Sequence, residues 1–224
     1  MIKLYLMEVS PLQDEKCFEQ GLAVVEPERR EKIKKSSQEK SRILGLAAGL
    51  LAGYANADSL NWMHCVKTQE DVEWIWVTAE AAIRRLWAHP PVKIMRTPNG
   101  KPYYEEMPEL YLSLSHSGDY AVCAVADSVV GVDIQKYQNM KHNLLKRIAS
   151  PDEKKVSTEA DFFRLWAAKE ACVKCTGEGL LKDFRELFTD FEKGMITDTV
   201  TGKEFRVYTS NEPAGYALAV CRSL

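Results

Sequence analysis

This sequence of 224 residues has few cysteines, a net charge close to zero and no long apolar run. Its six cysteines are too few and too scattered for a disulfide scaffold, so we expect free thiols in a reducing cytoplasm. The 30 basic and 32 acidic side chains leave a net charge of −2, which argues against a nucleic-acid partner held by bulk phosphate attraction. The longest apolar run, residues 43–57, is interrupted by glycine and asparagine and is too short to cross a bilayer. The first residues lack the pattern of a signal peptide, and we expect no membrane partner.

What the sequence does contain is typical of a globular chain, with 46% hydrophobic and 28% charged residues. A chain of this length buries enough surface to form a core without disulfides or a structural metal. Each half supplies helices and antiparallel strands. The sequence therefore predicts the α+β class, with an N-terminal lobe over 1–105 and a C-terminal lobe over 106–224.

Local patterns of alternation, capping and turn residues predict the elements of both lobes. In the N-terminal lobe they predict strands at 2–9 and 72–77, helices from Pro27, from a capping box at Ser36 and over 79–87, and a hairpin turn at Asn99-Gly100. In the C-terminal lobe they predict strands over 110–115, 120–126 and 129–135, with a two-residue turn at Asp127-Ser128. They then predict a helical region to about Glu159 with a start signal at Ser150-Pro151, an amphipathic helix over 161–175 and three or four strands over 184–220. The four-residue recurrence of Gly45, Gly49 and Gly53 predicts a buried packing face, in preference to a membrane dimer motif.

Two segments of the C-terminal lobe place acidic side chains where they can do chemistry. Along the strand GVDIQ, Asp133 and Gln135 share one face because strand side chains alternate with a period of two. On the helix, Glu170 lies beside the apolar stripe and one turn before Lys174, in the favoured orientation for an ion pair. Taken singly, Asp133 is read more simply as a solvated residue of an edge strand, and Glu170 as half of a surface salt bridge. Taken together, Asp133 and Glu170 could supply two hard oxygen ligands for Mg²⁺, with Gln135 or its water as a third.

Four motifs occur in an order that resembles a known family. They are NGKPYY from Asn99, LSLSHSGDYAVCAV from Leu112, GVDIQKY from Gly131 and LWAAKEACVKCTGEGL from Leu165. With the basic stretch near the N-terminus, they resemble the 4′-phosphopantetheinyl transferases, in particular the larger type that activates surfactin synthetase (Sfp). The resemblance covers roughly residues 27–55 and 99–181. It implies a pseudo-twofold arrangement of two similar α+β lobes, each an antiparallel sheet packed on helices, with the active site at the lobe interface.

The resemblance implies transfer of the 4′-phosphopantetheine group of coenzyme A to a serine of an apo acyl or peptidyl carrier protein. The serine hydroxyl attacks the β-phosphate, and adenosine 3′,5′-bisphosphate leaves. It also implies Mg²⁺, bound by Asp133 and Glu170, which would neutralise charge on the diphosphate. Glu170 is further implied as the acceptor of the serine proton, directly or through a metal-bound water. We favour the water route, because an ordinary glutamate is a weak base at neutral pH.

The resemblance assigns roles to individual residues as well. The catalytic side chains it implies are Asp133, Glu170 and Lys174. The side chains it implies for coenzyme A are Lys101 on the 3′-phosphate, His116 with Ser115 on a phosphate, Lys174 on the diphosphate, and Arg42, Lys32 and Lys35 along the nucleotide side. Residues 28–42 hold seven basic and three acidic side chains, although a solvated basic helix is the simpler interpretation of each one. The loop with Gly177, Gly179 and Leu180 is implied in the pantetheine channel and in carrier contact, and Gly177 also suits a left-handed helix C-cap.

One position departs from the family pattern. Many relatives have a third acidic ligand where this chain has Gln135, so direct coordination by three carboxylates is not expected. Two alternatives stay open: a carrier- or nucleotide-binding module with impaired catalysis, and a Mg²⁺-dependent nucleotide hydrolase that uses water as its nucleophile. Asp133, Lys169, Glu170 and Lys174 are all present and favour the transferase. A chain that already holds two lobes is expected to act as a monomer.

Overall fold

The computed structural model of the chain describes residues 1–62, 72–139, 142–151, 153, 156–179 and 182–224. The chain divides into two compact units, the first formed by Met1–Met95 with Pro102–Asp127 and the second by Arg96–Lys101 with Ser128–Leu224. Each unit combines helices with its own β-sheet. The α+β class predicted from the sequence is confirmed.

The first unit places its helices around a six-stranded sheet. The strands of this sheet are β1 (Ile2–Glu8), β2 (Val72–Trp76), β3 (Ile94–Arg96), β4 (Pro102–Tyr104), β5 (Tyr111–Ser117) and β6 (Tyr120–Ala126). The helices are α1 (Glu15–Val24), α2 (Pro27–Lys35), α3 (Glu39–Trp62) and α4 (Ala79–Trp87). A short 3-10 turn at Ser10–Gln13 lies between β1 and α1.

The strands of the first sheet run in the order β2-β1-β6-β5-β4-β3. Strand β1 is parallel to β2, with Ile2 opposite Val72, and antiparallel to β6, with Ile2 opposite Ala126. The sheet is therefore mixed, whereas the resemblance implied an antiparallel one. The parallel pair is possible because three helices separate β1 from β2 in the chain, and parallel neighbours need such a long crossover connection.

Helix α3 packs against its neighbours through small residues. A Cβ added at Gly49 would lie 2.5 Å from Cδ of Arg29 in α2, and one added at Gly53 would lie 2.9 Å from Cδ2 of Leu86 in α4. The buried packing face predicted from the glycine recurrence is thereby confirmed. Leu46 and Leu50 are fully buried in the same helix and belong to the core of the first unit.

The second unit has a five-stranded sheet in the order β7-β11-β10-β9-β8, with β7 at one edge. Its elements are β7 (Val130–Lys136), α5 (His142–Ile148), α6 (Glu159–Thr176), β8 (Leu187–Asp190), β9 (Met195–Asp198), β10 (Glu204–Ser210) and β11 (Tyr216–Ser223). The strand pairs are antiparallel, and β7 pairs with β11 so that Asp133 lies opposite Ala219. The four strands that follow Phe184 agree with the prediction.

Helix α6 has strong signals at both ends and is buried on most sides. The side chain of Thr158 and that of Asp161 form a capping box at its start, and Gly177 ends it in the left-handed conformation with φ of 77°. Phe162, Ala167 and Ala168 are all buried although they point in different directions around the helix axis. The expected one-sided amphipathic helix is therefore wrong, because α6 is covered on several sides within its unit.

The division into units differs from the predicted boundary between residues 105 and 106. Residues 106–127 belong to the first unit because β6 pairs with β1 and β5. Strand β7 begins the other sheet. Residues Asp127-Ser128 therefore connect strands of two different sheets, and not two neighbouring strands of one sheet. Residues 96–101, in contrast, belong to the second unit.

Three local predictions also differ from the structure. The patterns did not predict α1, although Asp14 caps it by accepting a hydrogen bond from the backbone N–H of Cys17. The predicted capping box is absent, since Ser36 ends α2 and α3 starts at Glu39. The helical region predicted up to about Glu159 contains α5, but no described helix starts at Ser150-Pro151, because α5 ends at Ile148 and the next described helix is α6. Within the described ranges, no helix is long and apolar enough to span a bilayer.

Candidate active site

The candidate site is built where β7 crosses α6 at very close range. A Cβ added at Gly131 would lie 1.9 Å from the carbonyl oxygen of Ala171 and 2.4 Å from the backbone nitrogen of Cys175. Only glycine allows the strand and helix backbones to approach this closely. Asp133 lies two residues further along β7, so its side chain is directed to the same face as the contact. The glycine of GVDIQ thus sets the distance between the two elements.

We expect Gly131→Ala to destabilise the second unit. The added methyl group would overlap backbone atoms that cannot rotate away, so the free energy of unfolding should fall by about 1–3 kcal/mol or more. Urea unfolding measures this loss. Gly45→Ala is the matched control, because a Cβ there would lie 3.6 Å from Ile33, an ordinary contact. Equal stability of the two variants would contradict the close approach of β7 to α6.

Asp133 is the buried centre of the site, with 2% of its surface exposed. Lys174 Nζ donates a hydrogen bond to its Oδ1 at 2.6 Å, and Gln135 Nε2 donates one to its Oδ2 at 2.8 Å. The simpler interpretation of Asp133 as a solvated edge-strand residue does not hold, because α6 covers this face of the edge strand. Gln135 thus orients the Asp133 carboxylate through its amide N–H, a contact that the sequence pattern did not predict.

Glu170 is half-buried on α6 and lies within electrostatic reach of Asp133. Burial raises the pKa of the Glu170 carboxyl, the negative charge of Asp133 raises it further, and the Lys174 ammonium partly opposes both effects. The structure therefore brings together Asp133, Gln135, Glu170 and Lys174, as the sequence predicted. A carboxyl whose pKa is raised by burial and by a neighbouring carboxylate is a frequent mark of a functional site.

The donor set fits a hard divalent cation. Asp133 and Glu170 present two carboxylates, and the charge of Asp133 raises the pKa of Glu170. A bound cation would remove that repulsion. In the described part of the chain, no group of three or more His, Cys, Asp or Glu side chains is arranged as a metal cage. Two carboxylates are nevertheless enough for Mg²⁺, which commonly takes one or two from the protein and fills its other positions with water and substrate phosphates.

A buried ion pair next to Glu170 fixes the position of α6. Lys169 is fully buried, and its Nζ donates to the Glu153 carboxylate, to the carbonyl of Ile148 at 2.7 Å and to that of Phe184 at 3.0 Å. Glu153 in turn accepts hydrogen bonds from the backbone N–H of Ser150 and of Thr189, both at 2.7 Å. Sequence analysis did not identify Glu153, because no local pattern marks a loop glutamate whose partners are distant in the chain.

Lys101 has a different environment from the one predicted. Its Nζ donates to the carbonyl oxygens of Cys175, Lys174 and Val130, at 2.6, 2.9 and 3.3 Å. Burial lowers the pKa of this ammonium. All of these contacts lie inside the second unit.

Apart from Lys174, the other residues predicted to bind coenzyme A lie in the first unit. Lys32 and Lys35 are exposed on α2, and His116 is exposed near the end of β5. Ser115 is buried. The guanidinium of Arg42 on α3 lies 5.0 Å from the centre of the Phe18 ring, in a cation–π contact. In the predicted carrier-contact loop, Gly177 and Gly179 have positive φ, and Leu180 lies outside the described residues.

Residues 129–221 match the sequence model of the 4′-phosphopantetheinyl transferase superfamily. This stretch is therefore similar to the proteins of that superfamily. The stretch contains β7 and α6, and with them Asp133, Gln135, Glu170 and Lys174.

Curated relatives come from both bacteria and animals. The chain is 36% identical over 135 residues to the 4′-phosphopantetheinyl transferase psf-1 of Bacillus pumilus, with 55% of this chain and 57% of that protein covered. It is 28% identical over 132 residues to the 4′-phosphopantetheinyl transferase Sfp of Bacillus subtilis strain 168, covering 54% and 59%. It is 26% identical over 147 residues to the human L-aminoadipate-semialdehyde dehydrogenase-phosphopantetheinyl transferase, covering 56% and 47%. The matches thus span about half the length of these relatives, and they confirm the resemblance to the Sfp type.

Proposed function

We propose that the chain transfers the 4′-phosphopantetheine group of coenzyme A to a serine of an apo acyl or peptidyl carrier protein, with release of adenosine 3′,5′-bisphosphate. The proposal rests on the grouping of Asp133, Gln135, Glu170 and Lys174 where β7 meets α6. This grouping lies within the stretch that matches the transferase superfamily. The names of the curated relatives support phosphopantetheinyl transfer as the activity.

In this reaction, the serine Oγ of the carrier forms a bond to the β-phosphorus of coenzyme A. The bond from that phosphorus to the bridging oxygen breaks, and the bridging oxygen leaves with the electron pair as part of the bisphosphate. Glu170 receives the serine proton, directly or across one water. Burial raises the pKa of the Glu170 carboxyl, which favours proton acceptance, and a bound cation would oppose this effect.

The remaining site residues hold and orient the reacting groups. Asp133 and Glu170 would bind Mg²⁺, which supplies positive charge to the diphosphate oxygens when it is bound. Gln135 keeps the Asp133 carboxylate oriented through the hydrogen bond to Oδ2. The Lys174 side chain, which is 31% exposed, supplies a second positive charge that a substrate phosphate can reach.

Coenzyme A would be bound through its phosphates by residues of the first unit. The exposed Lys32, Lys35 and His116 are suited to contact phosphate oxygens as hydrogen-bond donors. We include Arg42 and Ser115 in the same proposal on the resemblance stated above.

We further propose that the protein works as a monomer in the cytoplasm, without nucleic-acid or membrane partners. The cysteines that the structure describes are free thiols, which a reducing compartment maintains. Each unit also has its own hydrophobic core.

Incubation with coenzyme A and Mg²⁺, with and without an apo carrier protein, tests the proposed function. The proposal predicts a carrier that gains one phosphopantetheine group by mass spectrometry, and release of bisphosphate only when the carrier is present. A carrier with alanine at the acceptor serine is the matched control. Release of bisphosphate without a carrier would indicate a hydrolase, and binding without any reaction would indicate a module that has lost catalysis.

Replacement of Gln135 by glutamate tests the metal site by a measurement other than activity. In Gln135→Glu, a second carboxylate faces Asp133 Oδ2 in place of the donating amide. Without Mg²⁺, loss of this hydrogen bond to a charged group should cost about 1.5–3 kcal/mol, and repulsion between the two carboxylates adds to the cost. The melting temperature should therefore fall by at least roughly 3–12 °C. Added Mg²⁺ should then raise the melting temperature of Gln135→Glu by more than that of the wild type, because the variant offers three carboxylates.

Gln135→Ala is the control for this experiment. It loses the same hydrogen bond to Asp133 but gains no ligand, so its response to Mg²⁺ should not exceed that of the wild type. An equal response to Mg²⁺ in Gln135→Glu and Gln135→Ala would contradict a metal site beside Asp133.

A further inference from the structure

Lys101 ends the turn of the NGKPYY motif, and its ammonium is fully used within the second unit. The acceptors are the carbonyl oxygens of Cys175 at 2.6 Å, of Lys174 at 2.9 Å and of Val130 at 3.3 Å. An ammonium has three N–H donors, and each of them has a carbonyl acceptor here. A phosphate could bind Lys101 only if these hydrogen bonds were broken.

Two of the three acceptors belong to the last turn of α6. The final carbonyls of a helix have no partner within the helix and form the negative end of its dipole. The N–H of Gly177 bonds the carbonyl of Val173, which leaves the next two carbonyls, those of Lys174 and Cys175, for Lys101. Lys101 is thus a side-chain cap for the C-terminus of the helix that carries Glu170 and Lys174.

The third acceptor belongs to β7. Val130 is the first residue of that strand and precedes Asp133 by three positions. A single ammonium therefore bonds the backbones of both elements that supply the site. The aliphatic part of the side chain also lies along the helix end, since a Cβ added at Gly177 would lie 3.4 Å from Cδ of Lys101.

Hydrogen bonds within the turn hold its backbone in place, so the Lys101 side chain extends from a fixed position. The backbone N–H of Thr97 donates to the carbonyl of Lys101 at 2.9 Å, and the N–H of Lys101 donates to Thr97 Oγ1 at 3.1 Å. Gly100 takes a positive φ of 85° within this turn.

We propose that Lys101 is a positioning residue, which fixes the last turn of α6 against β7 and keeps Glu170 and Lys174 in register with Asp133. In this role it does not bind the 3′-phosphate of coenzyme A. The inference rests on the proposed transferase function for its kinetic consequence, while its structural content can be measured without any substrate.

Kinetics of Lys101→Met with coenzyme A and with 3′-dephospho-coenzyme A test the role. A displaced helix end should lower kcat by about 10- to 100-fold with both substrates, because catalysis is sensitive to misplacement by about 1 Å. Any change in KM should be equal for the two substrates, since no contact to the 3′-phosphate is removed. Lys203→Met, at an exposed position of the same unit, is the matched control and should behave as the wild type.

Lys101→Gln is a second, milder variant in case Lys101→Met does not fold. The glutamine amide keeps two N–H donors for the same carbonyls but has no charge. Its kcat should lie between those of the wild type and Lys101→Met, and any change in KM should again be equal for the two substrates. A KM that rises for coenzyme A, but not for 3′-dephospho-coenzyme A, would identify Lys101 as a phosphate ligand and overturn the proposal. A lower melting temperature with unchanged kcat and KM would also overturn it.

Amide hydrogen exchange decides the structural part independently of the reaction. In Lys101→Met, or in Lys101→Gln if only that variant folds, amides 173–177 should exchange at least about tenfold faster, while amides 162–166 of the same helix should be unchanged. Unchanged exchange at 173–177 would overturn the proposal even if transfer activity is found. If the wild type transfers no phosphopantetheine, the proposed function fails, and the exchange rates still show whether Lys101 holds the helix end.

Discussion

Replacement of Glu170 by glutamine should lower kcat for phosphopantetheine transfer by about 10²–10⁴-fold, the usual contribution of a positioned proton acceptor. The stability of the folded state should not decrease. Burial and the charge of Asp133 both raise the pKa of Glu170, so its ionised form destabilises the folded state at neutral pH. Glutamine removes that charge, and the melting temperature of Glu170→Gln should equal or exceed that of the wild type. Steady-state kinetics and thermal unfolding measure the two effects.

Asp133→Asn distinguishes the role of Asp133 from that of Glu170. Its activity should fall as far as that of Glu170→Gln, but its stability should fall as well. Asparagine keeps an oxygen that can accept from Lys174, but it loses the negative charge and turns an N–H toward the Gln135 amide, so the cost should be about 1–2 kcal/mol. Glu204→Gln, on the exposed start of β10, is a control that should change neither property. Near-normal turnover by Glu170→Gln in saturating Mg²⁺ would rule out the assigned site.

Lys169→Met should lower the free energy of unfolding by about 3–5 kcal/mol, because it leaves the buried Glu153 carboxylate without its cation. Lys169 is 0% exposed and Glu153 has a side chain that is 6% exposed, so water cannot replace the lost partner. The remaining acceptors, the carbonyls of Ile148 and Phe184, would also lose their donor. Urea unfolding at neutral pH measures the effect.

A double variant checks the cause of this loss. Glu153→Gln in the background of Lys169→Met removes the unpaired charge but keeps acceptor and donor groups in place. The double variant should therefore be more stable than Lys169→Met alone. If both are equally unstable, the loss comes from packing around Lys169 rather than from the stranded carboxylate.

Short-range patterns were enough to predict the elements of the site. The alternation of GVDIQ correctly placed Asp133 and Gln135 on one face, and the spacing of Glu170 and Lys174 correctly placed them one helical turn apart. What the sequence did not reveal was the partner of each face. Asp133 lies on an edge strand, and the alternation of side chains along that strand predicts that it is exposed to solvent. Helix α6 nevertheless covers Asp133, because Gly131 lets the helix backbone approach the strand.

The larger differences also come from contacts between distant residues. Strand pairing is decided by residues far apart, so the sequence around Asp127-Ser128 does not show that β6 pairs with β1 and β5 while β7 pairs with β11. The environment of Lys101 depends on carbonyls more than 70 residues later in the chain, as its separations of 73 and 74 positions from Lys174 and Cys175 show. Backbone carbonyls have no sequence signature, and no motif could have pointed to them.

The 96–101 turn has a consequence for the order in which the chain folds. It is synthesised before any strand of the second sheet, yet its acceptors on α6 emerge from the ribosome only after more than 70 further residues. Contacts across such separations close large loops and form late in folding. A fragment that begins at Ser128 would contain the whole family-matching stretch but would lack Lys101, so α6 would end on two carbonyls without their donor. The smallest set of residues that contains both the second unit and the donor for its helix end therefore combines two separate segments, 96–101 and 128–224.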